Sequence, residues 1–392
     1  MTDHWLVISH EATNSGAPRM LLRILEGVRA ARGAGWSCEI LLRNGGSLRD
    51  QFARFGPVQT LSHPWAAGPS LRAGLVRKFF DRPFWQPYRA NKIMRRWGAG
   101  KFDLVYNNSA TNGKLVAAAR NFGCPILTHV HELGSVLRRF ITPAEVTQTI
   151  VSTDHFIAVS PAAAADLMAC GAPPDRVTVV PNFLPAMPPA PNAANPELRR
   201  SLGISPGAAL VVGCGHIHSI KGTDLFVQMA AALRRSFSRP VNFVWVGGET
   251  DLRFAHRVRK AVKDLGLASW VRFVGPVDNA EPWFAASDVV AVTSREESFS
   301  LVALEAAALG VPVIGFGAAR GLSSILGETP ELLVTDLDPQ AMAETLKHVL
   351  SEPVHARMLG GKLRALVNKS FLADPCLKDI LQVVDTLQER GR

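Results

Sequence analysis

Residues Thr293–Ile314 read TSREESFSLVALEAAALGVPVI. A strand is expected to end near Thr293, and a helix to run from about Ser300 until Gly310 and Pro312 stop it. The helix interior, Leu301 to Leu309, is apolar except for Glu305. A carboxylate buried there without a partner would be costly, so Glu305 must face a polar group or open space. The helix start would lie at the carboxyl edge of a parallel sheet. There the N–H groups of Phe299, Ser300 and Leu301, with the helix dipole, make an anion site suited to a pyrophosphate. Glu297 stands just before that end.

The same strand, loop and helix pattern extends outward in both directions. Upstream, short runs rich in Val, Ile and Leu recur at Leu6–Ser9, Glu39–Leu42, Leu104–Tyr106, Ile126–His129, His155–Val159 and Val177–Val180. Helix-like segments separate them, among them Arg19–Arg32 and Pro161–Cys170. A proline-rich stretch, PNFLPAMPPAPNAANPELRR (Pro181–Arg200), interrupts the pattern. Its prolines cannot donate ladder or helix hydrogen bonds, so it reads as a linker. Strands then resume at Leu210–Cys214, Phe243–Val246, Val271–Val274, Val289–Val292 and Val311–Ile314. Alternating strands and helices imply parallel βαβ units. The fold class is therefore α/β, with two doubly wound, Rossmann-like domains facing across a cleft. Boundaries are expected at 1–184, a linker at 185–200, a second domain at 201–370, and a C-terminal helix at 371–392 that packs back on the first domain. Ligands in such folds bind at the carboxyl ends of the strands, which makes the cleft the default site.

Four further segments carry candidate residues. LVVGCGHIHSIKGTDLF (Leu210–Phe226) ends a strand in a glycine-rich turn, where Gly215 lets the backbone approach a phosphate and Lys221 supplies charge. VISHEATNSGAPRM (Val7–Met20) places Gly16 and Ala17 in a loop after the first strand. ILTHVHELGSVL (Ile126–Leu137) brings His129, His131 and Glu132 to a strand end, with both histidines on one face by alternation. VRFVGPVDNAEPWFAASDVVAVTS (Val271–Ser294) contains Val274, Gly275 and Pro276 at another strand end. The histidines have no further ligands at metal spacing, so no metal site is expected.

With these motifs in order, the chain resembles the family 4 retaining glycosyltransferases of the GT-B fold, the glycosyl transferases group 1. Glu297 and Glu305 stand seven residues apart in ESFSLVALE, ahead of AAALGVPVI, as in that family. The resemblance implies that Glu297 contacts donor-sugar hydroxyls, Glu305 binds the ribose, and the N–H groups of Phe299, Ser300 and Leu301 hold phosphate and sugar oxygens. It implies that Lys221 meets the diphosphate, that Gly16 and Ala17 lie near it, and that His131 lies near the transferred sugar. Val274, Gly275 and Pro276 would contact the base through their backbone. Two positions depart from the family: Ser300 replaces a common Gly, and His216 stands where an Arg is common. His218 either compensates for that Arg or only lines the turn. The implied activity is retaining transfer of a sugar from a UDP- or GDP-sugar to a glycan or lipid-linked acceptor, in bacterial surface polysaccharide synthesis. The first domain would take the acceptor and the second the donor. No DxD-like pair sits in a suitable loop, so no metal and no cofactor are expected. The alternatives are a non-catalytic homologue that binds sugar nucleotides or a membrane, and a nucleotide-sugar epimerase or phosphorylase on the same fold.

Bulk properties narrow the setting. The 392 residues are 47% hydrophobic and 19% charged, as in ordinary globular proteins. No apolar run spans a bilayer, and MTDHWLVIS lacks the features of a signal peptide. The five cysteines form no CxxC, which suits a reducing cytosol. The net charge of +10 is concentrated in 71–101, where nine basic residues face only Asp81. Phe79, Phe80, Phe84, Trp85, Tyr88 and Trp97 are interleaved with them. That mixture fits an anionic membrane surface, or equally a solvated basic helix whose aromatics join the core. Nucleic acid is not an expected partner, because it rests on overall charge alone. The expected location is cytoplasmic, peripheral on the inner face of the cell membrane.

Overall fold

A computed structural model describes residues 3–62, 85–189 and 196–390. The chain divides into two compact units, Met1–Phe183 with Ala373–Arg392, and Leu184–Leu372. Each is built on one parallel sheet.

In the first unit, β1 (Asp3–Ser9), β2 (Trp36–Leu42), β3 (Val58–Thr60), β4 (Leu104–Asn107), β5 (Ile126–Val130), β6 (His155–Ala158) and β7 (Val177–Val179) align in the order β3-β2-β1-β4-β5-β6-β7. Strand order reverses between β1 and β4, so the loops after these two strands splay apart and leave a crevice. β1, β4 and β5 are buried on both faces and read as continuous apolar runs. Trp5 stacks on Tyr106, with ring centroids 6.0 Å apart, and meets Trp36 edge-on. The last helix, Ala373–Arg390, completes this core by burying Cys376, Ile380, Val384 and Leu387. Full burial of such aliphatic side chains is worth roughly 1.5–3 kcal/mol each. Gly27 lets this helix come close, since a Cβ there would fall 2.2 Å from Leu377 Cδ1. Arg32 pairs with Asp385, and Gln388 Nε2 donates to Asp3 Oδ1 at 2.8 Å.

In the second unit, β8 (Ala209–Cys214), β9 (Val241–Val246), β10 (Val271–Gly275), β11 (Val289–Val292), β12 (Val313–Phe316) and β13 (Leu333–Val334) align as β10-β9-β8-β11-β12-β13. Here the order reverses between β8 and β11. The two ends of this unit are pinned together, because Leu184 N donates to Phe371 O at 2.9 Å.

Three details differ from the sequence reading. The short strands β3 and β13 carry too few residues to show a period. Pro196–Ser201, counted within the linker, forms a helix. Pro196 fits its first turn, where a missing N–H costs nothing, and Arg199 anchors it through Ala286 O at 2.8 Å and Asp288 at 3.2 Å. In the helix Trp85–Trp97, Lys92, Arg95 and Arg96 are exposed while Ala90 and Met94 are buried. Trp97 packs edge-on against Phe102 at 5.6 Å, so this aromatic belongs to the core and not to a surface-binding face. Residues 71–84 of the basic stretch, and the side chains of Trp85 and Tyr88, lie outside the described residues.

Candidate functional site

The second unit gathers its candidates after β8 and β11, on either side of the order reversal. Lys221 Nζ and Glu297 Oε1 stand 2.6 Å apart, and Ser294 Oγ donates to the same oxygen at 2.7 Å. Glu297 is buried and Lys221 half-exposed. Two glycines permit this approach. Gly222 adopts φ 63°, and a Cβ there would sit 1.9 Å from Thr293 O. Gly321 donates to Glu297 O at 2.9 Å, and a Cβ on it would sit 2.1 Å from Ser298 O.

Arg295 then ties the two loops together. Its guanidinium grips Asp224 through two bonds of 2.8 and 2.7 Å and donates to Ser219 O at 2.7 Å. The hydrogen bonds to Asp224 raise its already high pKa against the opposing effect of burial, so it stays cationic. Sequence reasoning missed Arg295 and Asp224. The signal was a charged pair at two strand ends that the fold makes neighbours, and spacing alone cannot pair them.

The helix Leu301–Ala308 begins where expected. Ser300 is its N-cap and accepts from Ala303 N at 3.2 Å. The first N–H groups of a helix have no intrahelical partner, so those of the 301–302 turn project from its end. Phe299 and Leu301 bury their side chains, Phe299 edge-on to Phe371 at 5.5 Å. Only their backbone could meet a ligand. Glu305 is half-buried and takes part in an electrostatic or hydrogen-bonding interaction, as a lone carboxylate in an apolar helix requires.

Gly215, His216 and Val274–Pro276 sit at neighbouring strand ends. Gly215 N donates to Val246 O at 2.9 Å, and Gly247 N donates to Gly275 O at 2.8 Å. A Cβ on Gly247 would collide with Gly215 O at 1.9 Å, so the ends of β8, β9 and β10 touch backbone to backbone. Gly275 (φ 82°) lies at a register shift in the β9–β10 pairing. His216 is exposed. His218 Nδ1 accepts from Ile220 N at 3.2 Å and caps the turn that presents Lys221.

The first unit gathers a different set after β1, β4 and β5. His131 Nε2 lies 3.0 Å from Asn108 Oδ1, and Asn108 Nδ2 donates to Ala17 O at 3.0 Å. Asn108, which sequence reasoning passed over, thus joins His131 to the loop of Gly16 and Ala17. Gly16 opens the helix Gly16–Arg32 and is exposed. His129 stacks on His131 at 4.4 Å and shares a 2.7 Å bond between its Nδ1 and Tyr106 Oη. Burial pushes the His129 pKa down to about 3. His131 is only half-buried by surface, yet desolvation, then His129, then His10 hold its pKa well below the usual value. Glu132 accepts from His131 N at 3.0 Å, from Ala110 N at 3.2 Å and from Ser109 Oγ, so it is fully engaged in the loop. Burial would raise the Glu11 pKa, but His10, Thr13 and Ser15 outweigh it and bring it to about 2.

Among the described residues, no three His, Cys, Asp or Glu side chains are grouped as a metal ion would require. Asp338, in the sequence Asp336-Leu337-Asp338, accepts from Gln340 N and caps the helix Pro339–Ser351. No described helix is long and apolar enough to cross a membrane.

Comparison with known proteins adds three findings. Residues 15–186 match the model of Glycosyltransferase Family 4, and residues 208–352 match that of Glycosyl transferases group 1. The chain is 29% identical over 287 residues to the D-inositol 3-phosphate glycosyltransferase of Xylanimonas cellulosilytica, covering 68% of each protein. In three dimensions it superposes on Anabaena HepE, solved with UDP and glucose, with a TM-score of 0.80 and 18% identity over 98% of this chain and 100% of that one. Sucrose-phosphate synthase of Thermosynechococcus elongatus gives a TM-score of 0.79 at 20% identity over 99% and 100%. These superpositions establish the two-domain GT-B fold.

Proposed function

The chain belongs to the family 4 glycosyltransferases of glycosyl transferases group 1, and on that premise we propose that it moves a sugar from a UDP- or GDP-sugar to a hydroxyl of a glycan or lipid-linked acceptor, with retention of configuration and without a metal ion. The observation that carries this reading is the Lys221–Glu297 pair at 2.6 Å beside the start of the helix Leu301–Ala308. In the structure the two charges neutralise each other. A nucleotide-sugar offers each a new partner: the diphosphate takes Lys221 and the helix N–H groups, and the sugar hydroxyls donate to Glu297. Glu305 binds the ribose, and Val274, Gly275 and Pro276 line the base. The Anabaena relative in fold was solved with UDP and glucose, which supports uridine as the base.

In the proposed step, the bond from the anomeric carbon to the β-phosphate oxygen breaks, and its electron pair leaves with the diphosphate. The acceptor oxygen bonds to that carbon on the face being vacated, and its proton passes to the departing phosphate oxygen. Lys221 and the helix start stabilise the charge as it develops, the role a divalent cation would otherwise fill. His131 lies near the transferred sugar as a neutral group.

The deciding experiment measures nucleotide release and product formation from UDP- and GDP-sugars over an acceptor panel, with and without EDTA. Donor binding should be found first by thermal shift, since a ligand at 100 times its Kd stabilises by about 2.7 kcal/mol. Unchanged rates in Glu297→Ala and Lys221→Ala with a competent acceptor would sink the site, EDTA sensitivity would sink metal independence, and an inverted product anomer would sink retention. Binding without turnover would favour the non-catalytic alternative.

A lipid-linked acceptor, and with it a role in surface polysaccharide synthesis, gives the basic stretch 71–101 a purpose. Each Lys or Arg near an anionic leaflet is worth about 1 kcal/mol. Sedimentation with phosphatidylserine vesicles should therefore fall when Lys92, Arg95 and Arg96, all exposed, are changed to Glu. A wild type that never sediments would make the stretch a solvated face.

A further inference from the structure

Asn108 is fully buried, and both ends of its amide are committed. One end faces Ala17 O at 3.0 Å, and a carbonyl oxygen can only accept, so that end is the NH₂ group. The other end is then the amide oxygen, 3.0 Å from His131 Nε2. An amide oxygen also only accepts, so Nε2 must carry the proton. Backbone geometry thus fixes the orientation of the amide, and the amide fixes the imidazole.

We propose that Asn108 is a positioning residue, one that holds His131 as the Nε2–H tautomer, with Nδ1 as its acceptor nitrogen, and holds it in register with the loop of Gly16 and Ala17. The inference rests on the reading in which His131 lies near the transferred sugar. Its value for transfer follows from charge. As the diphosphate departs, positive charge develops on the sugar ring, as at the oxocarbenium-like centre of glycosidic cleavage. An imidazolium beside it would oppose the reaction, whereas a neutral ring does not.

The groups facing His131 enforce neutrality from each element. His129 stacks on it from β5, and His10, in the loop after β1, acts on it electrostatically. The neighbouring carboxylates are occupied, Glu132 by Ser109 and two backbone N–H groups, and Glu11 by His10, Thr13 and Ser15. Asn108 supplies a neutral acceptor where a carboxylate would charge the ring.

The test begins with long-range ¹H–¹⁵N spectra of the full-length wild type, with His131→Gln used to assign the signal. Nε2 should appear as N–H and Nδ1 as a bare nitrogen, unchanged from pH 8 down to pH values well below the usual imidazole range. An Nδ1–H tautomer, or titration near neutrality, overturns the proposal without reference to activity and whether or not any variant folds. In Asn108→Asp a carboxylate replaces the amide, so the donor to Ala17 O is lost and the oxygen facing Nε2 becomes charged, and a charge at that distance raises a partner's pKa by about 1–3 units. The His131 titration should shift upward by that amount, and the acid limb of kcat should shift with it. A folded Asn108→Asp protein whose His131 titration does not move also overturns the proposal. If the titration moves and the kcat profile does not, the tautomer assignment stands and the placement of His131 beside the reacting sugar fails.

Discussion

Lys221 and Glu297, in the second unit, meet as full charges 2.6 Å apart, whereas His131 and Asn108, in the first, meet as a neutral pair at 3.0 Å. The contrast extends to their surroundings. Arg295 and Asp224 frame the charged pair with another ion pair. The neutral pair is framed by His129, Tyr106 and the committed carboxylates Glu11 and Glu132. One half holds an internal ion pair, closed by Ser294 on the same carboxylate oxygen. The other joins neutral side chains to one another by hydrogen bonds.

The sharpest way to break this comparison is to remove the charge. Lys221→Ala should lower kcat by about 10²–10³-fold, the usual effect of losing one preorganised donor to a developing anion. Glu297→Ala should fall in the same range. Because the two residues are partners, the double variant should be only slightly worse than either single one. Initial rates of nucleotide release decide it. Losses under about threefold would mean that the charged half holds the loops together and takes no part in turnover.

Glu305→Gln probes the same half at lower stakes. A hydrogen bond to a charged group is worth about 1.5–3 kcal/mol, so UDP should bind roughly 10–100-fold more weakly. Calorimetry with UDP reads this directly. A wild-type Kd in the variant would detach Glu305 from the nucleotide.

The neutral half has its own signature in stability against pH. His129 and His131 are held neutral in the folded protein, with pKa values below that of an unfolded histidine. Between the two values the unfolded chain binds more protons, so stability is complete above about pH 6.5 and falls as the solution is acidified. Each histidine contributes a slope of up to about 1.4 kcal/mol per pH unit. Below about pH 4.5 Glu11, whose folded pKa is about 2, adds a loss of the same sign. Denaturant unfolding at pH 7, 6 and 5 should show the decline, and His129→Gln should flatten it by about one proton. A flat wild-type curve over this range would mean that the histidines protonate freely and that the half is not neutral by design.

The charged half was largely legible in the sequence and the neutral half was not. Glu297, Ser300 and Glu305 fall within one short stretch, where a lone carboxylate in an apolar helix singled out Glu305, the helix start singled out Ser300, and the resemblance to the family motif singled out Glu297. Lys221 followed from a glycine-rich turn. The structure brings it onto Glu297 because β8 and β11 are adjacent in the sheet, although they are far apart in the chain. In the first unit, His131 and Gly16 lie on separate loops. What joins them is Asn108, an asparagine at a strand end among Asn107, Ser109 and Asn112. No spacing distinguishes a residue that spends both ends of its amide on distant loops from one that caps a turn. The C-terminal helix was legible as a helix from its apolar face. It was expected to pack back on the first domain, and the structure groups it with that unit through Cys376, Ile380, Val384 and Leu387; the close approach of Leu377 to Gly27 is the detail that local pattern does not encode.

The smallest effect is expected at Ser300, where this chain departs from the Gly common in its family. The hydroxyl accepts from Ala303 N at 3.2 Å, so its structural work is that of an N-cap. Ser300→Ala should cost about 1 kcal/mol, or roughly 2–4 °C in Tm for a unit of this size, while Ser300→Gly should cost only a few tenths of a kcal/mol. If the phosphate is held by backbone N–H groups, the donor KM in Ser300→Gly should stay within about twofold of wild type, since the helix start is retained. A rise of tenfold or more would instead assign the hydroxyl itself to the ligand. The charged half would then hold its ligand by a side-chain contact as well as by the main chain, and the residue at this position would serve specificity and not only capping.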